Sequence, residues 1–109
     1  MLQIEDLEEK MKLVEGKPYQ PIDVVQINDQ VVRLAFAQGE YHWHTHESED
    51  EMFYLIKGEF SVRTRNFDTH HMKEGQFLVI PKGEEHAPMS VNGGYILMFE
   101  PLKTKSRGD

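Results

Sequence analysis

The chain has 109 residues, enough for one domain with a modest core, and its 12 basic and 19 acidic residues give a formal net charge of −7. This balance argues against nucleic acid as a main partner, because phosphate binding needs a basic face. Without cysteine, the chain cannot form disulfides or thiolate metal sites, so a bound metal must be held by nitrogen and oxygen. No apolar run approaches the ~18 residues of a membrane span, and the acidic N-terminus lacks a signal peptide's apolar core, so we expect a cytoplasmic protein without a membrane partner.

The first predicted element is a helix over residues 6–14. Asp6 is a suitable N-cap, and Glu9 follows three residues later, as in a capping box. Leu7 and Met11 belong to an apolar stripe at helical spacing. We expect this helix to pack on the outside of the domain or on a partner subunit.

From residue 22 to residue 100 the chain alternates short apolar strands with turn residues, which is typical of a sandwich or barrel. We therefore predict a single all-β domain with one short N-terminal helix. The polar segment 101–109 is expected to be loose. The predicted strands cover residues 22–27, 31–37, 42–46, 51–57, 60–67, 69–72, 76–80, 86–91 and 95–100.

The residues that predict a functional site lie between positions 39 and 58, with one addition downstream. His42, His44 and His46 alternate, so a strand would turn all three toward one side. Antiparallel pairing across the acidic loop that follows could bring Glu51 beside the last two histidines. Two imidazoles and a carboxylate suit a borderline divalent metal, and His86 is a fourth candidate ligand. These ligands would leave room for water or substrate, as a catalytic site requires.

The remaining histidines have less definite roles. His42 could bind the metal, orient a ligand or act as an acid or base near pH 7. We expect it to line the pocket or support a ligand rather than bind the metal directly. His70 and His71 are adjacent and so point in opposite directions, and we expect them at an exposed strand end.

Two further groups of side chains concern packing. Trp43 should lie on the opposite face from the histidines, together with Met52 and Tyr54. Because Trp and Tyr are enriched at interfaces, we expect a homodimer. Six apolar residues are expected in the core, where some would line a pocket for a small-molecule ligand or substrate: Phe36, Phe53, Leu55, Phe77, Val79 and Phe99.

The segment from residue 39 to residue 58 resembles the first motif of the cupin superfamily. That motif runs glycine, a short spacer, His-x-His, glutamate and glycine. Here the residues in that order are Gly39, His44, His46, Glu51 and Gly58. The spacer after the first glycine has four residues where five are usual.

A second segment resembles the second cupin motif, which runs glycine, Pro-x-Gly, histidine and asparagine. Here those positions hold Gly75, Pro81, Gly83 and His86, with Ser90 in place of asparagine. The two motifs together are far more specific than either alone.

This resemblance implies a cupin-type double-stranded β-helix, or jelly-roll barrel. It implies that His44, His46, Glu51 and His86 bind one divalent transition metal, such as iron, manganese, nickel or zinc. The short spacer leaves His42 and His44 as an alternative pair, although the spacing to Glu51 favours His44 and His46. It also implies a metal-dependent enzyme acting on a small organic metabolite, of dioxygenase, isomerase or decarboxylase type. The alternative function is a non-catalytic, metal-dependent binder or sensor of a small ligand.

Overall fold

The computed structural model describes residues 2–109 and confirms an all-β fold with a short N-terminal helix. Every pair of neighbouring strands is antiparallel. One sheet path runs in the order β1-β2-β7-β3-β6, and β4 pairs with both β5 and β7. The elements are α1 (Leu7–Val14), β1 (Ile22–Ile27), β2 (Gln30–Glu40), β3 (Glu51–Gly58), β4 (Phe60–Thr64), β5 (His70–Met72), β6 (Phe77–Ile80) and β7 (His86–Pro101).

The helix forms where the capping pattern predicted it. The Asp6 side chain accepts a hydrogen bond of 3.0 Å from the backbone N–H of Glu9. Met11 and Val14 are buried against Leu34 of β2, so the helix packs on the outside of the sheet. Within residues 2–109, no helix is long and apolar enough to cross a membrane.

Strand β7 connects the two halves of the barrel. The sequence predicts two strands separated by a turn at residues 92–94, whereas the structure has one continuous strand of 16 residues. Its first part pairs with β4 and its second part with β3, and Gly93 between them has a φ of 103°. The glycines therefore bend the strand rather than end it. The main core inside the barrel includes Ala35, Ala37, Phe53, Leu55, Phe60, Val62, Met72, Ile80, Ile96 and Met98.

Three residues predicted to be in the core lie instead on the outer face of the sheet. Phe77, Val79 and Phe99 are 65%, 55% and 38% exposed. Met52 pairs with both Val79 and Phe99, and Tyr54 pairs with Phe77. Directly paired residues share a face of the sheet, and Met52 and Tyr54 alternate with the buried side of β3. The exposed position of all three follows from this register.

The segment 101–109, predicted to be loose, packs against the barrel. The guanidinium group of Arg33 donates to the carbonyl oxygens of Leu102 (3.0 Å) and Thr104 (2.7 Å). Thr104 is 3% exposed, and the N–H of Asp109 donates to the carbonyl of Thr45 at 2.9 Å. These hydrogen bonds, made by the backbone of the segment, hold it against the domain.

Candidate metal centre

The histidine segment between β2 and β3 is extended but is not a regular strand. His44 forms an antiparallel bridge with His86, with reciprocal backbone hydrogen bonds of 2.9 Å. The carbonyl of His46 accepts a further bond of 2.9 Å from the N–H of Gly83. The segment therefore pairs with residues 83–86, at the start of β7. The sequence had suggested pairing with β3 across the acidic loop. Glu51 reaches the same point as the first residue of β3.

The four predicted ligands converge inside the barrel. Their ligand-capable atoms all lie within 4.8 Å of one another. Glu51 Oε1 is 3.4 Å from both His46 Nε2 and His86 Nε2. The exposed fractions are 9% for His44, 2% for His46, 2% for Glu51 and 0% for His86. The structure thus brings all four side chains to one buried point.

Backbone carbonyls fix the orientation of two imidazoles. His44 Nδ1 lies 3.0 Å from the carbonyl oxygen of His42, and His86 Nδ1 lies 2.9 Å from that of Glu84. Because a carbonyl only accepts, each Nδ1 carries a proton and donates it. In the neutral rings, both Nε2 atoms keep a free lone pair for a metal.

The donor set fits a divalent metal. Among the described residues, the buried atoms His46 Nε2, His86 Nε2 and Glu51 Oε1 have no well-aligned hydrogen-bond partner. Atoms that each bind a metal at about 2.1 Å lie roughly 3.0–3.4 Å apart in octahedral or tetrahedral geometry, which matches the 3.4 Å separations of Glu51 from the two histidines. Imidazole and carboxylate ligands suit iron, manganese, nickel and zinc. Metal binding by these four residues stays a prediction.

His42 lies at the rim of the site. Its side chain is exposed, and its Nε2 donates to the carbonyl oxygen of Arg107 at 2.9 Å. The ring stacks on Tyr41 with centroids 4.1 Å apart. Its backbone carbonyl, rather than its imidazole, supports His44. The acid–base role of the His42 ring stays a prediction.

Trp43 and the other two histidines lie apart from the four converging residues. The Trp43 ring contacts the guanidinium groups of Arg63 and Arg65, at 5.2 Å and 4.0 Å from the ring centroid. His70 and His71 are in β5, where His71 is exposed and shares a hydrogen bond of 2.8 Å with Ser61 Oγ. The structure thus gives Trp43 a local cation–π role that sequence analysis did not predict.

A second buried carboxyl group lies beside the site and was missed by sequence analysis. Glu100 is 1% exposed, and its Oε1 accepts a hydrogen bond of 2.8 Å from Arg33. Burial, and then the neighbouring Glu51 carboxylate, raise the pKa of Glu100 to about 9. This shift favours the neutral, protonated form of Glu100 at neutral pH. The sequence signal for Glu100 was its position two residues after Met98, because residues two apart in a strand share a face and Met98 is buried.

Glu51 itself is the ionised member of this carboxyl pair. Burial alone would raise its pKa, but the neighbouring imidazoles of His46 and His86, each 3.4 Å away, and the carboxyl group of Glu100 lower the pKa well below its usual range. The site therefore holds a negative charge opposite its imidazoles, which favours a cation between them.

A cavity of about 30 Å³ adjoins two of the ligands. This volume exceeds the roughly 10–15 Å³ that one water molecule needs. His44 and Glu51 supply its polar wall, and Phe53, Ile96 and Met98 supply much of its apolar wall. The remaining lining residues are Tyr19, Pro21, Ala35, Tyr41, Pro88 and Ser106.

Metal binding is expected to weaken as the pH falls, because protons compete with the metal for the ring nitrogen of His46 but not for that of His44. Burial lowers the pKa of His44 to about 4, so its ring is already neutral near pH 7. Burial opposes protonation of His46 too, but the Glu51 carboxylate, 3.4 Å from its Nε2, raises the pKa of His46 above the ordinary value. His46 must therefore lose its proton to bind a metal, and the affinity falls as the pH drops through its pKa. Calorimetric titration with zinc from about pH 6 to pH 8, in buffers of different ionisation enthalpy, measures this release; a pH-independent affinity would contradict it.

The fold and the site together define a class of protein: a small antiparallel β-barrel in which three imidazoles and one carboxylate converge at an internal point. Residues 26–95 match the family model of the cupin domain, so the chain belongs to the cupin family.

The chain is also similar to several known proteins. The chain is 39% identical to the uncharacterized protein YdbB of Bacillus subtilis over 67 residues, which cover 62% of this chain and 59% of YdbB. A cupin-2 domain protein from Shewanella frigidimarina superposes with a TM-score of 0.84 at 30% identity, over 90% of this chain and 94% of that one. The DMSP lyase DddQ from Ruegeria pomeroyi has a TM-score of 0.64 at 18% identity, over 72% of this chain and 42% of the lyase. The likeness to the lyase concerns the fold alone.

Proposed function

We propose that the protein is a metal-dependent enzyme that acts on a small organic metabolite, of dioxygenase, isomerase or decarboxylase type. His44, His46, Glu51 and His86 would hold one divalent metal: iron, manganese, nickel or zinc. The observation that carries the proposal is the convergence of these four buried side chains beside a largely apolar cavity. A bound divalent metal would supply Lewis-acid or oxygen-activating chemistry.

The residues around the cavity support binding and water exclusion. Phe53 and Met98 present apolar surface beside the polar edge formed by His44 and Glu51, a combination typical of small-molecule sites. Tyr41 lines the same cavity, and its ring contacts that of His44 edge-on at 5.4 Å between centroids. Its hydroxyl group would orient a polar substituent of the substrate.

His42 is our candidate for proton transfer with solvent. Its ring is exposed and stacks on Tyr41, one of the cavity-lining residues. An exposed imidazole can pass a proton between a bound substrate and water. Its hydrogen bond to the Arg107 carbonyl would hold the ring at the rim during this exchange.

The fold is compatible with catalysis, since the DMSP lyase DddQ is built on a similar barrel. The reaction of that lyase is not transferred to this chain, because fold alone does not select a reaction. The cavity of about 30 Å³ instead sets the expectation that the substrate is small or that residues near Ser106 move to admit it.

The test is a turnover screen with the metal-loaded protein. Iron-, manganese-, nickel- and zinc-loaded samples are incubated with a panel of small organic acids, sugars and amino acids, with and without oxygen, and substrate loss is followed by NMR. Turnover by the wild type that is lost in His44→Ala supports a metal-dependent enzyme. Turnover retained in His44→Ala after its metal is lost would contradict it.

The alternative is a non-catalytic, metal-dependent binder or sensor of a small ligand, since the buried site and its adjoining cavity would hold a ligand as well as a substrate. Saturable binding of a metabolite to the metal-loaded protein, with no conversion over long incubation, would support this function. Conversion of that same metabolite would exclude it.

We also propose that the protein forms a homodimer through the outer face of its sheet. Phe77, Val79 and Phe99 are exposed there, and Tyr54 stacks on Phe77 with ring centroids 4.5 Å apart. Such contiguous apolar and aromatic surface is typical of interfaces between subunits.

Phe77→Asp is expected to shift the dimer to monomer, because it places a charge on this apolar face beside Tyr54. Sedimentation velocity measures the change. Phe67→Asp is the matched control, since Phe67 is also exposed, at 62%, but follows β4 outside this face. A wild-type protein that stays monomeric at high concentration would contradict the dimer.

A further inference from the structure

The three imidazoles of the candidate metal centre differ in how they are supported. His44 and His86 each donate from Nδ1 to a backbone carbonyl. His46 is 2% exposed, yet neither of its ring nitrogens has a well-aligned hydrogen-bond partner among the described residues. Because Nε2 of His46 faces Glu51 at 3.4 Å, the nitrogen that lacks support is Nδ1.

Two carboxyl groups lie beside this ring. The ligand-capable atoms of His46, Glu49 and Asp109 are all within 4.8 Å of one another. Glu49 is 8% exposed, although it lies in the acidic loop before β3. Two carboxylates so close together repel unless a proton donor or a cation lies between them.

The backbone holds Asp109 in place against the ligand-bearing segment. Its N–H donates to the carbonyl of Thr45 at 2.9 Å, and its Oδ2 accepts from the N–H of Glu47 at 2.7 Å. These two contacts bracket His46 on either side along the chain. Gly108, the residue before Asp109, packs so closely against the site that an added Cβ would lie 2.6 Å from Cβ of His44.

We propose that Glu49 and Asp109 together accept the Nδ1 proton of His46 and so orient its Nε2 toward the metal. The inference rests on the proposed metal centre. It gives His46 the support that backbone carbonyls give the other two histidines. A histidine that binds a metal usually donates its other N–H to a carboxylate or carbonyl, which fixes the ring and raises its basicity.

This proposal makes the segment 101–109 a part of the metal centre. Arg33 fixes the start of the segment through the carbonyls of Leu102 and Thr104, and Asp109 then reaches His46. Asp109 and Glu49 are positioning residues, because they act through His46 and not on substrate.

The test measures zinc affinity by competition with a chromophoric chelator. Asp109→Ala, Glu49→Ala and the double variant are compared with Asp68→Ala, an exposed carboxylate outside the centre. The double variant is expected to bind zinc about 10–100-fold more weakly, the usual effect of losing such a partner. The Asp68 control should keep wild-type affinity.

A second measurement reports the hydrogen bond itself and needs no metal. Long-range ¹H–¹⁵N NMR of the metal-free protein, at a pH high enough that the His46 ring has become neutral, shows which ring nitrogen carries the remaining proton. We expect the Nδ1–H form at His46 in the wild type and its loss only at His46 in the double alanine variant. The pair Asp109→Asn with Glu49→Gln keeps acceptor oxygens and should restore the Nδ1–H form, which a merely structural effect would not do.

The results separate this inference from the proposed function. Wild-type affinity and an unchanged His46 tautomer in the double alanine variant would overturn the inference. Binding of two zinc ions per wild-type chain, with one lost in the double variant, would overturn it too, because His46 Nδ1 would then hold a second cation. A wild type that binds no metal but loses the Nδ1–H form in the double variant would overturn the proposed function and support the hydrogen bond.

Discussion

Glu51→Gln is expected to lower the affinity for divalent metal by more than the roughly 10–100-fold that loss of a supporting residue costs. The substitution keeps the shape of a side chain that is 2% exposed, and it removes the negative charge next to His46 and His86. Neutral amide oxygen is a much weaker ligand than carboxylate, and the metal's charge would lose its only compensation among the four ligands.

Chelator competition with zinc or manganese measures this affinity for the variant and the wild type. Glu85→Gln is the matched control, because that carboxylate pairs with Arg65 on the surface at 2.8 Å and is 43% exposed. An affinity of Glu51→Gln within a few fold of the wild type would remove Glu51 from the ligand set.

Gly58→Ala is expected to destabilise the fold by about 2–6 kcal/mol, from about 1–3 for a strained backbone and about 1–3 for overpacking. Gly58 ends β3 with a φ of 93°, a region that favours glycine. A Cβ there would meet the carbonyl oxygen of Gly93 and lie 2.9 Å from Cα of Gly94. Backbone atoms of the β7 bend cannot move aside as a flexible side chain could.

Urea denaturation of the metal-free protein measures the loss. Gly75→Ala is a matched control, since Gly75 has a similar φ of 86° but no atom within 4 Å of an added Cβ. The control should show only the backbone cost. Equal destabilisation by the two substitutions would show that the close approach of the β7 backbone to Gly58 does not contribute to the loss of stability.

The fold class could be predicted because local patterns carry it. Period-2 alternation over residues 51–57 marked the inward positions of β3, and Phe53 and Leu55 are indeed buried. Asp6 and the apolar stripe set the helix bounds to within one residue. The convergence of the four residues could also be predicted, because their order and spacing match two short sequence motifs. A bridge between His44 and His86 then joins the two motifs in the structure.

What the sequence could not reveal depends on pairing between distant segments. Residues 41–46 pair toward β7, because the bridge partner of His44 is His86 and not a residue of β3. Phe77 and Val79 read as core, and only their register against β3 places them outside. The contacts of Asp109 join positions more than 60 residues apart, which no local pattern encodes.

Metal analysis by plasma mass spectrometry of untagged protein, wild type beside His46→Ala, measures whether the four converging residues bind a metal. We expect close to one transition metal per wild-type chain and its loss in the variant, because His46 is one of four candidate ligands at a single buried point. No metal in either protein, even after reconstitution with iron, manganese, nickel and zinc, would show that these residues are not a metal site.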